Sequence, residues 1–312
     1  MRLYKATLTL SSASATLWQA DTIFGHLCWK LLRRSGEDAL KQFLELYENG
    51  KPPILLSDGF PGDYLPRPLI PPRAEDPSRL SKRERVKRQR EAKEATRVEW
   101  LSLDDFNLAR QDKPVKSPPK ENEIYEVMRF GVTAKNQINR VTNTTSAGGE
   151  LYDMGEFILT RVTVYWRIAD GYFNEVNNFL SDLQATGYGK RKSVGYGHVE
   201  SFTLEEFNGF VEVPEADGFV TLSRFVPSPS DPTDGFWKAV VKYGKLGEEF
   251  AVGGNPFKRP LIQLASGSCF RAAPIRQWYG RIIDGLSVRS EVKQYGLAFP
   301  VPMRLPETRA GM

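Results

Sequence analysis

The chain opens with an alternation of apolar and polar positions. Over residues 2–10 one face of an extended segment is mainly polar, and the other face carries Tyr4, Ala6, Leu8 and Leu10. A period of two is typical of a strand with one buried side. The N-terminus is therefore predicted to form a first β-strand.

A helical period replaces the alternation at residues 21–34. Apolar side chains recur on one face, and the opposite face presents the polar stripe Thr22, His26, Lys30 and Arg33. Asp21 is a residue type that caps helices and Gly36 is a type that ends them, so the helix is predicted to run between them. Residues 37–48 form a second predicted helix.

Residues 60–123 interrupt the regular pattern. Their first part is rich in proline and is predicted to be extended, because proline disfavours a helical conformation at the residue before it. Residues 79–97 hold nine Lys or Arg and three Glu but almost no apolar face, so they are interpreted as a solvated insertion. Ser102 and Asp105 predict the start of one short helix.

Regular elements return with two strand-like stretches, residues 124–140 and 150–168. The turn between them is rich in Thr, Asn and Gly, which predicts a hairpin over about residues 131–152. Residues 173–184 then predict a helix and residues 194–204 a strand. The buried face of that helix is predicted to hold Phe173, Val176, Phe179, Leu180 and Leu183.

With a short buried strand predicted at residues 51–60, the order is strand, helix, strand, strand, helix, strand. This is the ferredoxin-like plan, which RNA-recognition-motif domains share. The predicted fold class is α+β, and the first ferredoxin-like domain, with its insertion and hairpin, covers residues 1–207. Residues 208–312 carry short strand patterns and predict a smaller, strand-rich second domain, interpreted as a degenerate ferredoxin-like copy of the first.

Composition places few limits on this picture. The chain has 312 residues, of which 40% are apolar and 26% charged, as in an ordinary globular protein. No run approaches the length of a membrane span, and the N-terminus is too polar for a signal peptide. Cys28 and Cys269 are single and distant, which predicts reduced core thiols in a cytoplasmic protein. The net charge is +5 and residues 79–97 contribute 9 − 3 = +6, so any nucleic-acid surface elsewhere has to be local.

The most informative local pattern is GYGKRKSVGYG at residues 187–197. Its candidate ligand-binding residues are Gly187, Tyr188, Gly189, Lys190, Arg191, Lys192, Ser193, Gly195 and Gly197. Glycine permits positive φ, and successive backbone N–H groups in such a turn bind anions. The spacing fits neither a P-loop nor a dinucleotide fingerprint. The stretch predicts a loop that holds a phosphate-rich chain, with an exposed glycine-rich hairpin as the alternative.

A glycine-rich loop between the last helix and last strand of a ferredoxin-like domain is a signature of the RAMP superfamily, the RNA-binding subunits of CRISPR effector complexes. The chain resembles this superfamily and, within it, the fourth subunit of the type III-A Csm complex. The resemblance lies in QADTIFGHLCW (19–29), LLSDGFPGDYLPRPLIPP (55–72), NQINRVTNTTSAGGELY (136–152), KYGKLGEEF (242–250) and NPFKRPLIQLASGSCF (255–270). Residues 73–97 match only loosely.

The resemblance implies a function and partners. Such a subunit holds the repeat-derived 5′ handle of the CRISPR RNA and joins the large polymerase-like subunit to the backbone filament subunit. It meets target RNA indirectly, and it binds RNA without cutting it. No cofactor, metal or membrane partner is expected. A scaffold whose second domain serves only protein contacts is a further alternative.

RNA contacts are expected in four regions, the first of which is the glycine-rich loop. Its cations suit phosphates, and Tyr188 and Tyr196 are candidates for base stacking, although Tyr196 is predicted on the following strand, where it can instead pack under the loop. The hairpin is similar to a thumb that wedges into RNA, with a simple connecting turn as the alternative. Its candidates are Lys135, Asn136, Asn139, Arg140, Thr142, Asn143 and Thr145. The remaining candidates are Gln19, Thr22, Gly25 and His26 at the first helix and Ser266 and Ser268 in the second domain.

His26 is the basis of an alternative functional hypothesis. Processing endoribonucleases of the RAMP superfamily cut RNA without metal, often with a histidine near the first helix and a glycine-rich loop. His26, Lys30 and the cations at 190–192 can supply the base, acid and oxyanion contact that attack by a 2′-hydroxyl needs. The resemblance to a non-catalytic subunit favours His26 as a polar-stripe or interface residue, so no catalytic residue is assigned. Motifs for metal catalysis are absent from the sequence.

Overall fold

A computed structural model describes residues 1–71, 83, 84, 86, 97–116, 118–136, 138–142, 144–145, 151–251 and 254–306 of the chain. The helices are α1 (Ala20–Glu48), α2 (Leu103–Arg110), α3 (Glu121–Val127) and α4 (Phe173–Thr186). The strands are β1 (Arg2–Leu10), β2 (Ile54–Leu56), β3 (Phe60–Pro61), β4 (Leu65–Pro66), β5 (Trp100–Leu101), β6 (Met128–Asn136), β7 (Ile138–Asn139), β8 (Thr144–Thr145), β9 (Leu151–Leu159), β10 (Arg161–Ile168), β11 (Val199–Glu206), β12 (Gly218–Thr221), β13 (Gly235–Phe236), β14 (Ala239–Lys242), β15 (Leu261–Leu264), β16 (Cys269–Arg271), β17 (Tyr279–Gly280), β18 (Leu297–Ala298) and β19 (Pro300–Met303). Short 3₁₀ turns cover Lys192–Val194 and Glu248–Ala251.

The fold is a mixed α+β arrangement with several antiparallel sheets. The main sheet has the order β11–β1–β10–β2, and β3 also pairs with β10. Strand β1 pairs along its length with β10 and β11, and the apolar face predicted for it is confirmed, since Ala6 and Leu8 are fully buried. Helix α1 follows β1, and helix α4 connects β10 to β11. Each inner strand of the main sheet is therefore followed by one of the two helices.

A second antiparallel sheet has the order β13–β16–β12–β19, and β14–β15 and β17–β18 form two-stranded ribbons beside it. One large hydrophobic core contains Val164 and Trp166 of the main sheet together with Val220 and Val301 of the second sheet. Because the same core reaches both sheets, the two halves are packed together. The division of the chain at residue 207 stays a prediction.

Helix α1 begins differently from the prediction. Its N-cap residue is Gln19, and the N–H group of Ala20 donates to the Asp58 carboxylate at 2.8 Å. Asp21 is therefore not the cap; its side chain is buried and binds residues from the second half of the chain. The two predicted helices form one element that is interrupted at Gly36, where φ is 84°.

Three further predictions need correction. Residues 124–127 lie in α3 rather than in a strand, because Glu123 accepts from the Lys120 N–H group and closes a helical first turn. The strand predicted from residue 194 begins at Val199, after a 3₁₀ turn. Phe173 is 38% exposed, since it is the first residue of α4, and its ring lies 5.1 Å from the ring of Tyr4.

The segment around residues 60–123 contributes to the core at both of its ends. Phe60, Leu65 and Phe106 are fully buried. The helix predicted at Ser102 is confirmed, because the Ser102 hydroxyl accepts from the Asp105 N–H group at 3.2 Å. Buried Arg110 then donates to the carbonyl groups of Val211 and Pro302. Of the charged residues 79–97, only 83, 84, 86 and 97 are among the described residues.

Candidate nucleic-acid interface

The glycine-rich loop is a folded turn that is tied to the rest of the chain. Its four glycines have positive φ, as the sequence predicts, with values of 74°, 78°, 89° and 64° at Gly187, Gly189, Gly195 and Gly197. Their N–H groups donate to Leu183 O, His26 Nε2, Lys192 O and Ala13 O. The expectation that these N–H groups bind phosphate is therefore wrong, because each already has a partner inside the chain. The glycines supply the shape of the loop, and its side chains supply the charge.

Tyr188 holds the glycine-rich loop against the hydrophobic core. Its side chain is fully buried and stacks on Trp18 with 3.8 Å between ring centroids and 13° between planes. The Tyr188 hydroxyl donates to Leu17 O at 2.9 Å. The prediction that Tyr188 stacks on RNA bases is wrong, because both the ring and the hydroxyl are used in packing. The Thr16 hydroxyl accepts from the Lys190 N–H group at 3.0 Å and holds the next part of the loop.

His26 joins helix α1 to the glycine-rich loop. Its Nε2 accepts from the Gly189 N–H group at 3.1 Å, and its ring lies 5.0 Å from the ring of Tyr188. Burial, and then the positive charge of Lys192, lower the pKa of His26 to about 4. The imidazole is thus neutral near pH 7, with one nitrogen committed to the backbone. This arrangement suits a structural acceptor better than the acid–base role that cleavage of RNA needs.

The contact of His26 predicts a specific pH dependence of stability. Its folded pKa of about 4 lies below its ordinary value of 6.5, so the folded state prefers the neutral imidazole. The stability that this preference provides is complete above pH 6.5 and is lost as the pH falls toward 4. The test variant is His26→Gln, whose amide oxygen can also accept from the Gly189 N–H group. Between pH 7 and pH 4, its free energy of unfolding in urea series is expected to fall by about 2 kcal/mol less than that of the wild type. Equal losses in both proteins would contradict a neutral His26 in the fold.

The three consecutive cations of the loop have different surroundings. Lys190 and Arg191 are exposed, and Arg191 donates to the Tyr152 hydroxyl at 3.0 Å while its guanidinium lies 5.5 Å from that ring. Lys192 is half-buried and forms an ion pair with Glu248. The charge of Lys192 is therefore directed into the protein, which corrects the expectation of three equivalent phosphate contacts. Ser193, next to it, is exposed.

Strands β6 and β9 form a long two-stranded ribbon next to the loop, over the region of the predicted hairpin. Residues directly opposite each other share a face, so Val132 lies with Gly155 on one face and Lys135 lies with Tyr152 on the other. The first face exposes several apolar side chains, among them Phe130, Val132 and Leu151. The second face is polar and lies toward the glycine-rich loop through the contact of Tyr152 with Arg191.

Tyr196 also links the loop to this ribbon. Its hydroxyl donates to the Glu156 carboxylate at 3.0 Å, and the Lys135 ammonium lies 5.6 Å from its ring. Tyr196 belongs to the turn before β11 and not to the strand, so its predicted position is wrong. The packing role given as its alternative matches the contacts.

The end of the ribbon carries the remaining hairpin candidates. Asn136, Arg140 and Thr142 are exposed, and the Thr142 and Thr144 hydroxyl oxygens are 2.9 Å apart. The backbone of Asn139 and Thr145 lies in the short pair β7–β8, whereas their side chains and the whole of Asn143 lie outside the described residues. The described residues of the tip thus expose polar groups, together with the apolar side chains of Ile138 and Val141.

The start of α1 is occupied by contacts within the chain. The Lys242 ammonium donates to Gln19 Oε1 and to Thr22 Oγ1, each at 2.9 Å, and forms an ion pair with Asp21. Gln19 and Thr22 therefore bind β14 rather than an open ligand surface. At Gly25 an added Cβ would meet nothing within 4 Å, so the helix backbone is accessible there.

Ser266 and Ser268 lie in the turn between β15 and β16. Ser268 is fully buried, and its hydroxyl donates to Ala265 O at 2.6 Å, so its predicted contact with RNA is wrong. Ser266 is half-buried. The turn packs against residues 67–69, since the Leu69 N–H group donates to Gly267 O at 2.8 Å.

Other kinds of site find little support in the described part of the chain. It contains no group of His, Cys, Asp and Glu side chains that could hold a metal ion. Within the same residues, no helix has the length and apolar character needed to cross a bilayer. Cys28 and Cys269 are free thiols, and burial raises the pKa of each to about 12.

Comparison with known proteins identifies relatives over nearly the whole chain. No family model matches the chain. Over 301 residues it is 28% identical to the CRISPR system Cms protein Csm4 of Thermococcus onnurineus (strain NA1), which covers 93% of this chain and 92% of that protein. The chain is a homologue of Csm4. The Csm4 protein of Streptococcus thermophilus is 26% identical over 289 residues, or 88% of this chain and 86% of that protein.

Solved structures that contain Csm4 share the fold. A chain of the crystal structure of a Csm1–Csm4 cassette in complex with pppApA matches with a TM-score of 0.62 at 20% identity, over 98% of this chain and 100% of that chain. A chain of the Csm3–Csm4 subcomplex of the type III-A CRISPR–Cas interference complex matches with a TM-score of 0.62 at 14% identity, with the same coverage. The likeness to the Csm4-containing structures therefore extends over nearly the whole chain.

Sequence reasoning missed several residues that shape this surface in the Csm4 homologue. Trp18 and Thr16 lie in an irregular segment between β1 and α1, where no periodicity marks them. Glu248 and Lys242 lie in KYGKLGEEF, a segment used only for the resemblance. Their contacts with α1 and the loop span more than 50 positions of the chain, so no local pattern signals them.

Proposed function

We propose that this chain is an RNA-binding subunit of a type III-A CRISPR interference complex that holds the 5′ handle of the CRISPR RNA. The homology to Csm4 supports membership of the complex. The observation that carries the RNA proposal is the position of exposed Lys190 and Arg191 at the junction of the glycine-rich loop and the ribbon. Cations at such a junction suit the phosphates of a strand that passes from the loop to the polar tip of the ribbon.

The proposal includes the architecture and the partners. The order β11–β1–β10–β2, with α1 and α4 between strands, supports a ferredoxin-like domain for residues 1–207. The four-stranded antiparallel sheet after it supports a smaller second domain. The shared fold with chains from a Csm1–Csm4 cassette and a Csm3–Csm4 subcomplex supports a polymerase-like Csm1 protein and a backbone Csm3 protein as the two neighbours.

Removal of the two exposed cations tests the RNA site. The double variant Lys190→Ala/Arg191→Ala is expected to weaken binding of a labelled RNA that carries the repeat-derived 5′ handle by about tenfold at moderate salt. The plot of log affinity against log salt concentration is expected to become shallower by about 1.4, which corresponds to two lost phosphate contacts on a single strand. Filter binding by the full chain at several salt concentrations measures both quantities.

A control variant separates local contact from net charge. Lys51→Ala/Lys113→Ala removes the same charge from exposed loop positions whose known contacts lie outside the proposed site. It is expected to bind like the wild type. Equal affinity and salt slope in the wild type and the double variant of Lys190 and Arg191 would refute the loop as the RNA site.

A cleavage assay tests the alternative function. The same RNA, incubated with the protein in EDTA and run on a denaturing gel, is expected to stay intact. A discrete product that His26→Ala abolishes would favour the endoribonuclease instead.

A further inference from the structure

A segment from the second half of the chain contacts one cation of α1, Arg33, and one cation of the glycine-rich loop, Lys192. The segment follows β14, whose last residue, Lys242, is bound to the start of α1. It reaches its 3₁₀ turn at Glu248, where the backbone is left-handed with φ of 54°. Phe250 then packs against Trp29 of α1, with 4.9 Å between ring centroids. The turn is thus held on the polar stripe of α1 from both sides.

Glu248 uses its carboxylate to bridge the two cationic elements. One oxygen accepts from Arg33 Nη2 of α1 at 2.6 Å, and the other accepts from the Lys192 ammonium of the glycine-rich loop. Only 14% of the Glu248 side chain is exposed. Glu249 adds a second, more exposed contact with Arg33 at 3.0 Å. Two positive charges are therefore matched by two negative charges from one turn.

The pKa of Glu248 reflects how strongly the carboxylate is held. Burial acts to raise this pKa, but hydrogen bonds from Lys192 and Arg33 outweigh burial and lower it to about 2. Lys30 and His26 lie in the same electrostatic environment, because the Glu248 charge acts on the pKa of both. The carboxylate therefore lies among the cations of α1 and the glycine-rich loop.

A guanidinium and an ammonium that converge on one anion are the contacts that proteins use to bind phosphate. Here Lys192 directly follows Lys190 and Arg191, the exposed pair of the proposed RNA site, and Glu248 joins Arg33 to Lys192. We propose that Arg33 and Lys192 form a further site for an RNA phosphate, and that Glu248 occupies this site as an internal competitor which the RNA displaces. This inference rests on the proposed RNA function and adds a contact and a control element to it.

The competitor predicts a gain of function when its charge is removed. Glu248→Gln keeps the size of the side chain but removes the negative charge that Lys192 and Arg33 share, so the full chain is expected to bind the 5′-handle RNA about tenfold more tightly than the wild type. The salt slope is expected to become steeper by about 0.7–1.4, since one or two more phosphates are neutralised. The matched control is Glu37→Gln, which removes a carboxylate from the exposed pair with Lys41 on the same helix and is expected to change neither quantity.

The outcomes separate this inference from the proposed function. If the wild type binds the RNA and Glu248→Gln binds it equally or more weakly with an unchanged salt slope, the competitor is refuted and the RNA site stands. If neither protein binds the RNA, the proposed function fails first.

A double-mutant cycle keeps the test decisive if the turn itself is perturbed. Lys192→Ala is expected to cost at least about fivefold more affinity in the Glu248→Gln background than in the wild type, because Lys192 is then free to bind phosphate. Equal costs in the two backgrounds would show that Lys192 and Glu248 form only a structural ion pair. Thermal unfolding of each variant confirms that the folded protein is being compared.

Discussion

Replacement of Gly197 by alanine is expected to lower RNA affinity by at least about tenfold and to destabilise the fold by about 3 kcal/mol or more. An added Cβ at this position would lie 2.0 Å from the Tyr188 carbonyl oxygen, which is far inside van der Waals contact. Gly197 also has φ of 64° and accepts from the Tyr188 N–H group at 2.9 Å. The backbone has to move at both residues, and the movement pulls Tyr188 away from Trp18. The loop that presents Lys190 and Arg191 then loses its fixed shape.

Gly195→Ala is the matched control for this prediction. Gly195 belongs to the same loop and has φ of 89°, but an added Cβ there would meet nothing within 4 Å. Gly195→Ala is expected to destabilise the fold by only about 1 kcal/mol, which is the cost of alanine in a left-handed conformation. Its RNA affinity is expected to stay within about threefold of the wild type. Urea unfolding and filter binding measure the two effects for both variants. Similar behaviour of the two alanine variants would show that the contact with Tyr188 does not hold the loop.

The second large effect is expected at Asp21, whose removal should destabilise the protein by about 3–5 kcal/mol. Its side chain is 1% exposed and forms an ion pair with Lys242. Its other oxygen accepts from Gln294 at 2.6 Å and from Gln263 at 3.3 Å. Asp21→Ala leaves a half-buried ammonium without its counter-ion and two buried amides without their carboxylate acceptor. Because these partners come from the second half of the chain, the loss weakens the packing of that half against α1.

Asp63→Ala provides the comparison for Asp21→Ala. Asp63 also binds two cations, with Lys5 at 3.0 Å and Arg161 at 2.6 Å, but 53% of its side chain is exposed. Exposed ion pairs contribute about 0–1 kcal/mol, so this variant is expected to unfold at nearly the wild-type urea concentration. Equilibrium unfolding of both variants at pH 7 gives the difference. A loss at Asp21 as small as that at Asp63 would contradict a stabilising buried network.

The sequence predicted the elements whose signals are local. The alternation at residues 2–10 predicted β1, the Ser102 cap predicted α2, and the apolar face of residues 173–184 predicted most of the buried positions of α4. Each signal depends on residues within one or two turns of each other, where backbone geometry limits the choices.

The errors occur where distant residues decide the outcome. Asp21 reads as a helix cap, but partners 221, 242 and 273 positions away bind its carboxylate, and no helical periodicity reports them. Tyr188 lies in a glycine-rich stretch that predicts exposure, yet Trp18 covers its ring. Lys192 looks equivalent to Lys190 in sequence until Glu248 is placed beside it. The RNA-binding role of the loop surface stays a prediction, and the contacts of its individual residues depend on tertiary structure.

The internal hydrogen bonds of the four loop glycines have a consequence for how a ligand would be captured. A loop whose donors are already satisfied is preorganised, so little conformational entropy remains to be lost when a polyanion arrives. Encounter is then governed by long-range attraction toward Lys190 and Arg191, which speeds association. The lifetime of the complex depends instead on how many short contacts form afterwards. The glycines thus hold the loop in one conformation before binding, and the neighbouring side chains determine the dissociation rate of a bound strand.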